Sequence, residues 1–177
     1  MRPLNLCSAE TAVQAVQSGQ RIFLTGNCSV PTMLVKALVE RARELHDVEI
    51  LQVLTLGSNE YARPEMEGHL RVNSMFISAD VREAINDGRA DFTPVFLSEI
   101  AGLYHTHLPI DVAFIHVSPP DEHGYCSYGV EVGVTKAAAE AARVVIAQVN
   151  PNMPRTLGDS FIHVSKIDYA VRVETRL

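Results

Sequence analysis

The residues able to do chemistry gather in three short segments. The first, Thr25–Pro31, sets Gly26, Asn27, Cys28, Ser29 and Val30 just ahead of Pro31. Gly26 permits close backbone approach, Asn27 and Ser29 offer polar groups, and Pro31 suits the first turn of a helix. Free N–H groups at such a helix start would hold a carboxylate or phosphate. The plain alternative is an ordinary capped strand–helix turn. The segment is neither a GxGxxG nucleotide fingerprint nor a P-loop. The second segment, Thr55–Asn59, is small and polar, with Thr55 and Gly57 as weaker candidates and a simple turn as the alternative.

The third segment, Ser118–Gly129, is the most unusual. Pro119 and Pro120 stiffen it, Gly124 and Gly129 allow unusual backbone angles, and Asp121, Glu122, His123, Ser127 and Tyr128 crowd polar groups together. Long loops in compact domains are often functional, although a loop tied down by its own side chains would look the same. Other candidates are weaker. His105 and His107 lack a third and fourth metal ligand at a useful spacing, so they read as a surface pair and no metal site is expected. His116, inside an apolar run, reads as a hydrogen-bonded core residue, and His163 as similar. Cys28 with His123 would make a nucleophile and base only if the fold brought them together; a small, partly buried thiol is the simpler reading. Glu99, Glu122 and Glu131 are acids near loop positions without an evident partner to tune them.

These segments lie between elements that alternate in type. Ser8 caps a first helix ending at Gly19, Arg21–Thr25 is a β-prone run, and Leu34, Val35, Leu38, Ala42 and Leu45 make one apolar helix face after Pro31. Further strands are expected at Val48–Leu54, Asn73–Ile77, Phe92–Val95, Asp111–Val117 and Val144–Val149. Helices are expected from Ser78 to Gly88, as a turn at Ser98–Leu103, and at Lys136–Ala142. Strand–helix alternation with apolar strands predicts an α/β domain: an open, mostly parallel sheet with helices on both faces. The candidate segments then fall beyond the carboxyl ends of strands, where such sheets bind ligands. After Pro154 the β-prone Tyr169–Val173 is either an edge strand or, with residues 155–177 at large, a connector toward something further.

The chain has 177 residues, 47% hydrophobic and 20% charged, as expected of one globular domain. A chain of this length buries roughly 70% of its unfolded surface and needs no metal or disulfide staple. Fifteen basic against 21 acidic residues give a net charge of −6, with no basic stretch to serve nucleic acid or an acidic membrane. Three scattered cysteines form no CxxC pair. The N-terminus lacks the apolar core of a signal peptide, and no apolar run approaches the ~20 residues that span a bilayer. A cytoplasmic location is expected.

Three blocks, Phe76–Ile100, Ser118–Val132 and Val145–Ser165, resemble the acetyl-CoA hydrolase/transferase family, in order and over nearly the whole chain. The proline-rich loop is most similar to its 4-hydroxybutyrate CoA-transferase branch; Ala101, where the pattern has proline, is a small departure. The resemblance implies a NagB/RpiA-like fold and covers the N-terminal one of two similar α/β domains that enclose the active site. It implies a mechanism in which a glutamate of the C-terminal domain attacks the acyl-CoA thioester. An acyl-glutamyl anhydride forms, then a glutamyl-CoA thioester, which an incoming carboxylate resolves into new acyl-CoA. No counterpart of that glutamate's glycine-rich block is present, so this chain alone is expected to be inactive. The loop from Gly26 to Pro31 is then expected to face the acyl or carboxylate group, with the Ser118–Gly129 loop close to the same cleft. Coenzyme A and acyl-CoA enter as substrates, with no permanently bound cofactor. Expected partners are a C-terminal domain or subunit, a small carboxylic acid, and further copies in a homo-oligomer. The alternatives are an acyl-CoA hydrolase, a non-catalytic module that binds a small acid or CoA fragment, and a thioesterase built on Cys28.

Overall fold

The computed structural model describes residues 3–57 and 59–177. Seven strands form one sheet: β1 (Arg21–Leu24), β2 (Val48–Gln52), β3 (Leu70–Ser74), β4 (Asp91–Phe92), β5 (Val112–Val117), β7 (Val144–Val149) and β9 (Tyr169–Arg172). Their order is β4-β3-β2-β1-β5-β7-β9, and every pairing is parallel. All six residues of β5 are buried, as an apolar strand covered on both faces requires. Alternation along β1 sends Ile22 and Leu24 to one face and Phe23 to the other.

Helices fill both faces. The Ile22 and Leu24 face packs against α1 (Ala9–Ala12), α2 (Thr32–Arg41) and α3 (Ala79–Asn86) through Ala12, Leu34, Leu38 and Val81. The Phe23 face packs against α4 (Ile100–Leu103) and α5 (Thr135–Ala141) through Ile100, Tyr104 and Ala138. Ser8 caps α1 as expected, its Oγ accepting from Thr11 N at 3.2 Å. The chain runs outward from β1 through β2, β3 and β4, then returns to pair β5 with the other side of β1. Ile22 therefore faces both Ile50 and Val112. That reversal is the topological switch point, where open α/β sheets leave a crevice beyond the strand ends.

Several boundaries move. The strand expected at Asn73–Ile77 occupies Leu70–Ser74, with Leu70 and Val72 buried and Phe76 exposed beyond the ladder. Of the run at Phe92–Val95 only Phe92 joins the ladder, in the strand Asp91–Phe92, because Pro94 cannot donate to a ladder. The loop expected over Ser118–Gly129 contains β6 (Tyr125–Ser127), which pairs antiparallel with β8 (Phe161–His163). Residues 169–172 take the edge-strand alternative, pairing as β9 with β7.

Candidate functional site at the switch point

Beyond β1 the chain passes within touching distance of the strand beside it. A Cβ on Gly26 would lie 2.1 Å from the Leu54 carbonyl oxygen, so only glycine fits there. Asn27 follows with φ of +52°, a left-handed conformation that asparagine tolerates better than most residues. Its N–H donates to Leu54 O at 2.6 Å, and its backbone bridges to Thr55. The Asn27 side chain is thereby aimed at Glu131, and its Nδ2 donates to Glu131 Oε2. Gly133 completes the arrangement, since a Cβ there would come within 2.5 Å of Glu131 Oε1.

These residues rim a pocket of about 480 Å³, within the roughly 300–1,000 Å³ of small-molecule sites. Its walls are apolar: Phe23 and Leu24 from β1, Val53 and Leu54 after β2, Met75 and Phe76 after β3, then Val95, Leu97 and Ile100. Val134 and Thr135, where α5 begins, close the other side. Among the described residues that line it, Glu131 is the sole ionisable side chain.

A second hollow, of about 300 Å³, opens beside the same loop. It is lined by Cys28, Val30, Thr32, Leu56, Gly57, His116 and residues 175–177. Cys28 is exposed there. His116 is buried on β5, and that burial drives its pKa down to about 4, an effect partly offset by the backbone of Ser29. It is therefore neutral at physiological pH. Its Nε2 lies 3.4 Å from Gln148 Nε2, and Gln148 Oε1 accepts from Met33 N at 3.0 Å. Thr32 N donates to Val30 O at 2.9 Å. Two of the N–H groups at the start of α2 are thus already bonded, which leaves less for an anion than the sequence suggests. Ser29 is fully buried behind the loop, and Pro31 precedes α2 directly.

Thr55 faces inward. Tyr61 Oη donates to Gln52 Oε1 at 2.7 Å and lies 3.0 Å from Thr55 Oγ1, so the threonine hydroxyl serves a buried network. Gly57, with φ of +72°, donates its N–H to Asp80 Oδ2 at 2.8 Å. Ser58, between Gly57 and Asn59, lies outside the described residues.

The Ser118–Gly129 segment is tied down by hydrogen bonds within itself and to Arg155 and Thr156. Asp121 Oδ1 accepts from His123 N at 3.0 Å and Tyr125 N at 2.8 Å, and Asp121 Oδ2 pairs with Arg155 at 2.5 Å. The Tyr125 N–H is the first cause holding the Asp121 carboxyl below its usual range. Ser118 Oγ accepts from Ser127 N at 2.9 Å, and Ser127 Oγ accepts from the N–H groups of Gly129 and Thr156. Gly129, at φ of +64°, packs so closely on Met153 that a Cβ would meet its sulfur at 2.2 Å. Pro119 and Pro120 line a separate hollow with Leu4, Leu6 and Pro151. His123 is exposed beside Glu122, while Cys28 shares its hollow with His116 instead. None of the described residues of this segment lines either hollow beside β1. His105 and His107 are both exposed. No cluster of three potential metal ligands occurs among the described residues.

Sequence reasoning missed the pairing of Asn27 with Glu131 and the pocket wall supplied by Met75, Val95 and Leu97. Glu131 carried a signal, an acid near a loop; its partner lies too far away in the chain for spacing to show.

A parallel α/β sheet with an apolar, polar-rimmed pocket at its switch point has the architecture in which open α/β domains place their ligand sites. The chain is a member of the acetyl-CoA hydrolase/transferase family, matching the model of its N-terminal domain over residues 3–175. It is 47% identical over 167 residues to a 4-hydroxybutyrate coenzyme A transferase of Clostridium kluyveri, covering 94% of this chain and 39% of that protein. It is 41% identical over 155 residues to a succinyl-CoA:acetate/propanoyl-CoA:succinate CoA transferase of Fasciola hepatica, covering 86% and 32%. Its fold is similar to the crystal structure of RipA from Yersinia pestis, with a TM-score of 0.89 at 29% identity, covering 98% of this chain and 43% of RipA. The chain spans about two-fifths or less of the length of these relatives. No helix among the described residues is long and apolar enough to cross a membrane.

Proposed function

We propose that this chain forms the N-terminal wall of a CoA-transferase site, which moves CoA between an acyl-CoA such as acetyl-CoA and a small carboxylic acid. The observation that carries the reading is the pocket beside Gly26 and Asn27, built at the switch point of a domain that matches the family over residues 3–175. In this reading the first loop, Gly26–Pro31, receives the acyl or carboxylate group, with Gly57 beside it. The residues present bind and orient. They hold the acyl chain in an apolar, water-poor pocket, which counts because a covalent acyl-enzyme intermediate is lost wherever water reaches it.

The nucleophile is a glutamate of the C-terminal half, whose attack on the thioester carbonyl releases the CoA thiolate and leaves an acyl-glutamyl anhydride. The thiolate then attacks the glutamyl carbonyl and frees the carboxylic acid, leaving a glutamyl-CoA thioester that a second acid reverses. The Ser118–Gly129 segment, which lines neither hollow beside β1, serves the fold in this reading and does not touch the acyl chain. The complete enzyme is cytoplasmic and homo-oligomeric in this reading. The test is CoA transfer from acetyl-CoA to 4-hydroxybutyrate by this chain joined to a matching C-terminal half. Formation of 4-hydroxybutyryl-CoA and acetate supports the reading; absence of transfer to 4-hydroxybutyrate, butyrate and propionate alike overturns it.

A further inference from the structure

On the reading that the switch-point pocket holds the acyl group, we infer that Glu131 selects the acyl chain, admitting chains that end in a methyl or hydroxyl and rejecting those that end in a carboxylate. Glu131 is half-buried on the wall of an otherwise apolar pocket. No Lys, Arg or His among the described residues forms an ion pair with it. Among the described residues its one hydrogen-bond donor is the neutral Asn27 side chain, which fixes Oε2. The carboxylate therefore has no cationic partner among the described residues, and a second carboxylate brought beside it is repelled.

The position is also built. Asn27 is held by Leu54 O in a backbone conformation few residues adopt, and Gly133 leaves the space that Oε1 occupies. A side chain on Gly133 would push the carboxylate away; a different residue at Asn27 would release it. The remaining lone pairs of Glu131 can accept from a hydroxyl on the acyl chain, and the aliphatic walls suit its methylenes. A second carboxylate on the ligand would find only repulsion there, an example of specificity gained by an unfavourable contact with the wrong substrate. The class admitted is thus short, neutral acyl-CoA, hydroxylated or not, over the CoA esters of dicarboxylic acids.

The test compares kcat/KM for butyryl-CoA, 4-hydroxybutyryl-CoA and succinyl-CoA, with acetate as acceptor, in the complete enzyme formed by this chain and its C-terminal half. Wild type, Glu131→Gln, Glu131→Ala and Glu131→Asp are measured side by side. Expected is a rise of about tenfold or more in the succinyl-to-butyryl ratio for the Gln and Ala variants. The Asp variant, which keeps the charge, should retain the wild-type preference. Because each variant is scored as a ratio, a general loss of folded enzyme does not imitate the effect. A ratio within about twofold of wild type in both the Gln and Ala variants overturns the role of Glu131 while leaving CoA transfer intact. Wild-type transfer from none of the three donors overturns the transferase reading itself, and the selection with it.

Discussion

Asn27 and Glu131 stand 104 positions apart, and the Asn27 side-chain amide donates to the Glu131 carboxylate across the mouth of the pocket at the switch point. The contact exists because β1 ends beside the segment that leads into α5. It also depends on a backbone turn that only a glycine followed by a tolerant residue can make.

That turn gives the first prediction. Gly26→Ala places a methyl group 2.1 Å from the Leu54 carbonyl oxygen, a backbone atom that cannot swing aside. The variant should lose about 2–3 kcal/mol, seen as a lower denaturant midpoint. An unchanged midpoint would mean that the two loops can part without cost.

The buried hydroxyl of Tyr61 gives the second. Tyr61→Phe removes the donor to Gln52 Oε1 and the contact with Thr55 Oγ1. The expected loss is about 1–2 kcal/mol, because a buried acceptor is left with fewer partners. Chemical unfolding measures it, and a variant as stable as wild type would contradict the network.

How much of this was legible in the sequence differs between fold and site. Apolar runs such as Val112–Val117 announce strands buried on both faces, and Ser8 announces the helix it caps. Local patterns of this kind survive because burial and capping depend on near neighbours in the chain. The β6–β8 pairing was invisible because Tyr125–Ser127 meets Phe161–His163 across a long separation and is only three residues long. At the site, Gly26 and Asn27 were readable as a strand-end turn. The engagement of Met33 N–H by Gln148, 115 positions away, was not, nor was the inward turn of Thr55, whose partners Tyr61 and Gln52 are near in the chain but show no periodic pattern that would mark a buried network.

His116 gives the pH dependence. Its folded pKa is about 4, against 6.5 for the free side chain, because burial disfavours the charged form. The unfolded chain therefore binds more protons between those values, and stability falls as pH drops from about 6.5 toward 4. The total loss from this group is about 3 kcal/mol. Urea unfolding of wild type and His116→Gln at pH 7.5 and 4.5 checks it: the variant should show a flatter pH response. Equal slopes would place the imidazole in a wetter setting than the fold indicates.

The Ser118–Gly129 segment should open when Asp121 is removed. Asp121→Ala deletes the acceptor for the N–H groups of His123 and Tyr125 and the partner of Arg155. Amide hydrogen exchange at Tyr125 should rise about tenfold or more, with Asp121→Asn recovering part of the protection. Unchanged exchange in the Ala variant would show that the β6–β8 ladder suffices to hold the loop.

The most direct measurement is the mass of each half of the complete enzyme after incubation with acetyl-CoA, recorded on this chain alone and on this chain mixed with its C-terminal half. The expected result is a covalent CoA or acyl adduct on a glutamate of the C-terminal half, with residues 1–177 unmodified and transfer seen only in the mixture. An adduct on Cys28, Glu131 or any other residue of this chain, or transfer by the chain alone, would contradict a role confined to binding and orientation.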